Sequence, residues 1–355
     1  MMNFDRAPFL VIWEVTQACD LACVHCRASA ISCRNPLELT TEEGFRLLGE
    51  IREFGDPLMV FTGGDPLKRP DLFALLRRSV DLGLRTTVTP SATPLLTAQA
   101  IQGFRDCGVA RMAVSLDGPD AASHDGFRRV AGSFDRTLFA LRLARSIGLD
   151  TQGNTTVTRH NLSKLAEIAS LVADAGAKLW SVFFLVPTGR ADRSDDLSAE
   201  EYEGVFEFLY DLSRRASFDI KTTEAQHYRR YVAQRRKAGG AAGGVRPQAQ
   251  AIIQRQAGIN DGKGFLFISH TGEIYPSGFL PVPAGNVRRD SLGEVYRNSP
   301  LFRTLRDSDL LGGKCGACEY RNLCGGSRSR AFALTGDYMA EDPRCVYVPR
   351  VAKVA

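Results

Sequence analysis

Short apolar runs and longer amphipathic segments alternate from residue 9 to about residue 215. "FLVIWEV" (9–15) is rich in branched and aromatic side chains, as a buried strand is. Behind it, "TTEEGFRLLGEIREFG" offers a Thr suited to an N-cap, acidic residues in the first turn and a closing Gly. The alternation returns five more times. Strands "PLMVFTGG", "LRTTVTPS", "RMAVSLDG", "DTQGNTTVT" and "KLWSVFFLVPTG" are each followed by a helix-like segment, the last being "SAEEYEGVFEFLYDLSRRA". Six strand–helix pairs with short connections predict a parallel sheet built from right-handed crossovers. The fold class is α/β, a partial (β/α)6 TIM-like barrel; a flat doubly wound sheet is the alternative.

The pattern breaks at residue 216. "YRRYVAQRRKAGGAAGGVRPQAQ" is a basic run followed by a Gly/Ala stretch, and segment 216–260 reads as a linker or lid. After residue 261, "GFLFISHTGEIYPSGFLPVP" and "GNVRRDSLGEVYRN" predict a hairpin and a short helix. The organisation is then a barrel over 1–215, the linker or lid, and a small α+β domain over 261–355.

Composition narrows the classes. Of 355 residues, 44% are apolar and 24% charged, which suffices for a full core. A net charge of +5 is too weak to indicate nucleic acid, but it suits an anionic substrate. No apolar stretch approaches a membrane span and no signal-peptide pattern opens the chain, so the expectation is a cytoplasmic protein without a membrane partner. Nine cysteines change the picture most. Seven fall into two clusters, and clustered cysteines in a reducing compartment read as metal or redox ligands. Cys33 and Cys107 stand apart and read as small hydrophobes.

"CDLACVHC" places Cys19, Cys23 and Cys26 together with no fourth cysteine nearby. Three thiolates on one loop hold three irons of a [4Fe–4S] cubane and leave the fourth open. His25 adjoins Cys26 and is poorly placed to reach the same cubane, so it reads as solvent-facing or hydrogen-bonding. The C-x3-C-x2-C spacing resembles the radical S-adenosylmethionine (SAM) superfamily. The resemblance implies that SAM fills the open iron, and that reductive cleavage to a 5′-deoxyadenosyl radical precedes hydrogen abstraction from a substrate. "FTGGDP" resembles the family's Gly-Gly-Glu-Pro motif and makes Gly63, Gly64 and Asp65 candidate SAM contacts, with Asp in place of the usual Glu. "SLDG" does the same for Ser115 and Asp117, and "HDGFRRVAGSFD" for Arg128, with Arg129 where Gly is common. Ser91 and Asn154 are candidates by position.

Cys315, Cys318, Cys324 and Cys345 form a complete four-ligand set, for which structural zinc is one reading. Beside the first cluster they resemble the SPASM and twitch auxiliary domains, implying one auxiliary [4Fe–4S] cluster. A full SPASM domain carries more cysteines; His270 and Ser277 stand where the extra ones tend to fall. "YPSGFLPVPAGNVR" resembles enzymes of the alternative haem and haem d1 pathways, which implies a tetrapyrrole carboxylate as substrate. Arg229, Arg230, Arg235, Arg236 and Lys237 either meet those carboxylates or form a solvated helix face. Two rivals stay open. One is a maturase of a ribosomally made peptide, against which the first strand's start near residue 9 leaves no N-terminal peptide-binding wing. The other is a non-catalytic iron–sulfur electron carrier. The implied reductant is a flavodoxin or ferredoxin.

Overall fold

The computed structural model describes residues 3–239 and 258–350. The Gly/Ala-rich part of the 216–260 segment lies outside the described residues. Six strands stand where the alternation placed them: β1 (Leu10–Glu14), β2 (Leu58–Thr62), β3 (Arg85–Val88), β4 (Arg111–Ser115), β5 (Thr151–Val157) and β6 (Leu179–Phe184). They pair in parallel in chain order. The intervening helices are α1 (Thr41–Arg52), α2 (Leu72–Asp81), α3 (Ala98–Asp106), the consecutive α4 (Ala121–Arg128) and α5 (Ser133–Ser146), and α6 (Leu165–Asp174), with α7 (Ala199–Ser213) behind β6. Thr40 and Ser198 close capping boxes with Glu43 and Glu201, which fixes the starts of α1 and α7.

A seventh strand, β7 (Asp219–Thr223), adds to β6 in parallel and is followed by helix α8 (Tyr228–Gly239). Residues 219–239 are therefore part of the barrel rather than linker. "DIKTT" has a single large apolar residue, so its strand pattern is lost beside the basic run that follows. On the other side, β8 (Phe265–Ile268) pairs in parallel with β1, and β9 (Glu273–Tyr275) and β10 (Gly285–Asn286) extend the sheet antiparallel. The result is one ten-stranded sheet in the order β10-β9-β8-β1-β2-β3-β4-β5-β6-β7. The C-terminal region thus continues the barrel sheet.

Period-2 alternation explains where the core sits. Val11, Trp13, Met59, Phe61, Met112 and Val114 point outward into the first apolar cluster, against Leu47, Leu75, Ile101 and Leu141 of the helices. Trp180, Val182 and Phe184 do the same in the second, against Ile168, Tyr202 and Phe206. The opposite faces of the same strands carry Glu14, Thr62, Ser115, Gln152, Asn154, Ser181 and Lys221. The apolar core lies between sheet and helices, and the concave side mixes these polar groups with Leu10, Ile12, Leu58, Val60, Leu179 and Phe183. Among the described residues no helix is long and apolar enough to cross a membrane.

Gly44 sits on the buried side of α1, where an added Cβ would lie 2.7 Å from the Trp13 ring and 2.8 Å from Leu75. Gly44→Leu should therefore lower stability by about 1–3 kcal/mol through overpacking, although Leu is the better helix former. The urea unfolding midpoint of the two proteins checks this.

Candidate active site

The carboxyl ends of β2 to β6 open on a cavity of about 200 Å³. Cys19, Cys23 and Cys26 line it together with Gly63, Gly64, Ser91, Ser115, Arg128 and Asn154. Residues separated by up to 135 positions thus meet at one mouth, where parallel α/β sheets carry their sites. The sulfurs already accept hydrogen bonds from Leu21 N–H to Cys19 (3.3 Å), Ala30 N–H to Cys26 (3.4 Å) and the Arg128 guanidinium to Cys23 (3.5 Å). Such donors suit thiolates that ligate iron. Burial holds the Cys19 thiol up at about 11, and coordination by a metal reverses that preference.

The loop carrying the cysteines is clamped by backbone. Gly64 N–H and Asp65 N–H donate to the Thr16 and Ala18 carbonyls at 2.8 and 2.7 Å. A Cβ on Gly64 would stand 2.5 Å from both the Gln17 and Ala18 oxygens. The glycines are required for this approach, whatever else they meet. Asp65 is fully buried and turned from the cavity; it accepts from Thr93 Oγ1 (2.7 Å), Leu67 N–H (3.1 Å) and Ser91 N–H (3.3 Å). Ser91 donates to the Gly64 carbonyl at 2.8 Å and its Oγ lies 3.6 Å from the Cys19 sulfur.

Asp117 is likewise buried behind the mouth. It pairs with Arg128 and accepts from Thr156 N–H at 2.7 Å. Burial opposes the Arg128 charge, but Asp117 and the Cys23 sulfur outweigh it and hold the guanidinium protonated. Around this pair, His124 accepts from Asp117 N–H (3.1 Å), while Asp125 caps α5 through Gly132 N–H, Ser133 Oγ and Phe134 N–H. Arg129 takes a left-handed conformation (φ 59°) at the end of α4, which accounts for a glycine preference there. Ser115 and Asn154 face the cavity, the latter accepting from Gln152 Nε2 at 2.8 Å.

Three features escaped the sequence reading. His25 does not face solvent freely but stacks on Phe127, with centroids 4.3 Å apart, and burial lowers its pKa to about 3. Arg190 ties the cysteine loop through the carbonyls of Cys23 (3.1 Å) and Ala30 (2.9 Å). Gly189 (φ 62°) passes so near that loop that a Cβ would lie 2.3 Å from the Arg27 oxygen; the "PTGR" run was the available signal. Cys107 is buried as read, whereas Cys33 is exposed.

The second cluster forms a separate site. Cys315, Cys318, Cys324 and Cys345 border one small cavity of about 20 Å³, and their sulfurs accept from Asp342, Tyr320 and Gly326 N–H at 3.3–3.4 Å. Among the described residues no three His, Cys, Asp or Glu converge on a single ion. His270 and Ser277 are engaged elsewhere: His270 Nδ1 meets Glu14 at 2.9 Å, and Ser277 Oγ accepts from Phe279 N–H at 3.2 Å.

Residues 13–172 match the model of the Radical SAM superfamily. The AdoMet-dependent heme synthase of Methanosarcina barkeri is 40% identical over 98% of this chain and 99% of its own length. The chain belongs to the radical SAM superfamily. A second AdoMet-dependent heme synthase, from Oleidesulfovibrio alaskensis, is 43% identical over 96% of this chain and 88% of its own. Among solved structures, Streptococcus suis SuiB bound to precursor peptide SuiA superposes with a TM-score of 0.76 at 17% identity, covering 96% of this chain and 76% of that one. This radical SAM enzyme therefore uses a [4Fe–4S] cluster and SAM, and the three-thiol mouth fits both.

Gly64→Ala forces a methyl against two carbonyl oxygens and must displace the cysteine loop. The expected result is loss of most SAM cleavage, at least tenfold, with near-normal far-ultraviolet circular dichroism. Assay of 5′-deoxyadenosine with SAM and dithionite checks it.

Proposed function

We propose that this radical SAM enzyme is an S-adenosylmethionine-dependent haem synthase acting on carboxylate side chains of an iron tetrapyrrole. The carrying observation is likeness to two such synthases at 40–43% identity along nearly the whole chain. In this reading Cys19, Cys23 and Cys26 hold the cluster, which with SAM supplies the hydrogen-abstracting radical. Gly63, Gly64, Ser91, Ser115, Arg128 and Asn154 would position SAM, while Asp65 and Asp117 act through the groups they hold. Arg128 suits a carboxylate, being a buried fork with one side already fixed by Asp117.

Removing a propionate carboxyl group after hydrogen abstraction leaves a vinyl group, carbon dioxide and one electron. That electron needs an acceptor. Cys315, Cys318, Cys324 and Cys345 would hold an auxiliary [4Fe–4S] cluster in that role. The electrons that start the reaction would come from a flavodoxin or ferredoxin. A peptide substrate has less support: SuiB shares the fold at 17% identity only.

Replacing Cys318 by Ala should leave 5′-deoxyadenosine formation within about twofold and abolish decarboxylated product from an iron coproporphyrin. Mass spectrometry of both products decides. Normal product from the variant would sink the electron-acceptor role.

A further inference from the structure

A second cavity, of about 440 Å³, lies at the opposite end of the barrel. Its walls are residues at the starts of the strands: Leu58 of β2, Arg85 of β3, Arg111 of β4, Leu179 of β6 and Asp219 of β7, each the first of its strand, and Gln152, the second of β5. Lys221 of β7 and Arg229 of α8 complete it. Period-2 alternation puts Arg111 and Ser115 on the same concave face, and four residues at the strand rise separate floor from mouth by about 13 Å. The Gln152–Asn154 hydrogen bond (2.8 Å) joins the two levels.

Four cations gather on this floor: Arg85 is exposed, Arg111, Lys221 and Arg229 are partly buried, and Asp150 and Asp219 answer part of the Arg111 charge. Arg85, Arg111 and Lys221 make no hydrogen bond or ion pair among the described residues, and Arg111 Nε is buried without a partner. Arg229 donates only to carbonyls, of Ile259 (2.7 Å) and Leu323 (3.4 Å). Burial and the neighbouring Arg111 and Arg229 push the Lys221 amine down to about 8. Burial likewise lowers Arg229 to about 10. Three carboxylates share the cavity. Asp219 lies on the β7 side; Glu224 and Asp261 face it from the loops. Burial and mutual repulsion raise Glu224 to about 8 and raise Asp261 too, so the pair retains a proton near neutral pH. Glu224 is held by Ser327 Oγ (2.5 Å) and Asp261 by Ser329 N–H (2.7 Å), both facing the C-terminal region. Glu224 also adopts a left-handed φ of 58°, a strained backbone state that favours functional sites.

Unpaired cations withdrawn from water, here Arg111, Lys221 and Arg229, are costly unless a ligand supplies further anions; the exposed Arg85 adds charge at the rim. We infer that Arg85, Arg111, Lys221 and Arg229 form a carboxylate-binding floor, which holds the non-reacting carboxylate arms of a polycarboxylate macrocycle while another arm reaches the mouth. This rests on the proposed function and deepens it by assigning the substrate's second anchoring point. The floor also adjoins the second cysteine site: Asn260 on its wall donates to the Gly326 carbonyl at 2.8 Å and the Cys324 carbonyl at 3.4 Å. A substrate held there would lie between the two cysteine sites. Of the five basic residues in the α8 run, Arg229 lines this cavity. Arg230 and Arg235 are engaged by Glu203 and Glu207, and Lys237 is exposed.

The test compares reconstituted wild-type enzyme with Arg111→Met, Lys221→Met and Lys221→Arg. Fluorescence quenching gives the affinity for coproporphyrin III, with four carboxylates, and for deuteroporphyrin IX, with two. Each Met variant should bind coproporphyrin III about tenfold or more weakly, as loss of a charged hydrogen-bond donor implies. It should also lose the preference for four carboxylates over two, while Lys221→Arg keeps both. An unchanged SAM-shifted cluster signal by electron paramagnetic resonance shows that the mouth is intact. If wild type binds and decarboxylates iron coproporphyrin III and the Met variants do so equally well, the floor inference is overturned and the haem synthase reading stands. If wild type binds no porphyrin carboxylate and converts none, the haem synthase reading falls and the floor inference with it.

Discussion

The pairing of β1 with β2 on one side and β8 on the other is the constraint on which this molecule depends. It makes the barrel and the C-terminal region one sheet, so two cysteine sites far apart in sequence are held by one hydrogen-bonded body. Glu14, at the end of β1, reinforces the join. Buried on the concave face, it binds Arg27 behind the first cluster (2.5 Å) and His270 beyond β8 (2.9 Å). Burial alone would raise its pKa, but Arg27 and the hydrogen bond with His270 bring it below the usual range, so Glu14 is a fixed anion between the two. Arg27 also lies over the Phe267 ring of β8 and donates to the Gly278 carbonyl at 3.2 Å. A disturbance of the C-terminal region is thereby felt directly at the loop that carries Cys26.

A partly polar concave face follows from the same sheet. Strands that turn their largest buried apolar residues toward the helices leave Thr, Ser, Asn, Gln and charges on the inside, interspersed with apolar residues such as Ile12, Val60 and Phe183. Such a surface does not collapse on itself, because burying those groups without partners is unfavourable. It keeps a cavity open at each end and leaves polar groups aimed inward. The glycines at 63, 64 and 189 serve the opposite need, bringing backbones into contact where a side chain would hold the cysteine loop away.

The sequence made the six strand–helix pairs visible because each strand had a dense apolar stripe and each helix a cap or closing glycine. It hid β7, whose "DIKTT" has one large apolar residue, and it therefore hid that the barrel continues to residue 239. Cysteine spacing exposed both cysteine sets, since local spacing is what a metal site constrains. Roles carried by long-range contacts were less legible. Asp65 and Asp117 looked like ligand contacts from their motifs, yet they sit a layer back, holding the Ser91 loop and Arg128. His25 read as solvent-facing or hydrogen-bonding because Phe127, its stacking partner, lies about a hundred positions away.

The floor was invisible for the same reason in a stronger form. Arg85 and Arg111 each open a strand, a place where a basic residue in sequence reads as a solvated strand end, and Lys221 sits mid-way along the weakly patterned β7. Only the assembled sheet brings these three residues to the wall of one cavity and makes them a field. The "YRRYVAQRRK" run drew attention by its density, but its members part ways: the exposed Arg235 finds Glu207 on α7, the buried Arg230 pairs with Glu203 beside the four-cysteine cavity, and Arg229 turns to the floor. Buried positive charge near a thiolate set favours the more negative state of that set. Arg229 between floor and Cys324, Arg230 beside the four-cysteine cavity and Arg328 at 3.8 Å from the Cys315 sulfur all act in that sense. Under the proposed function, one electrostatic arrangement would then serve two ends. The cations that draw carboxylates to the floor adjoin the site that receives the electron when a carboxylate leaves.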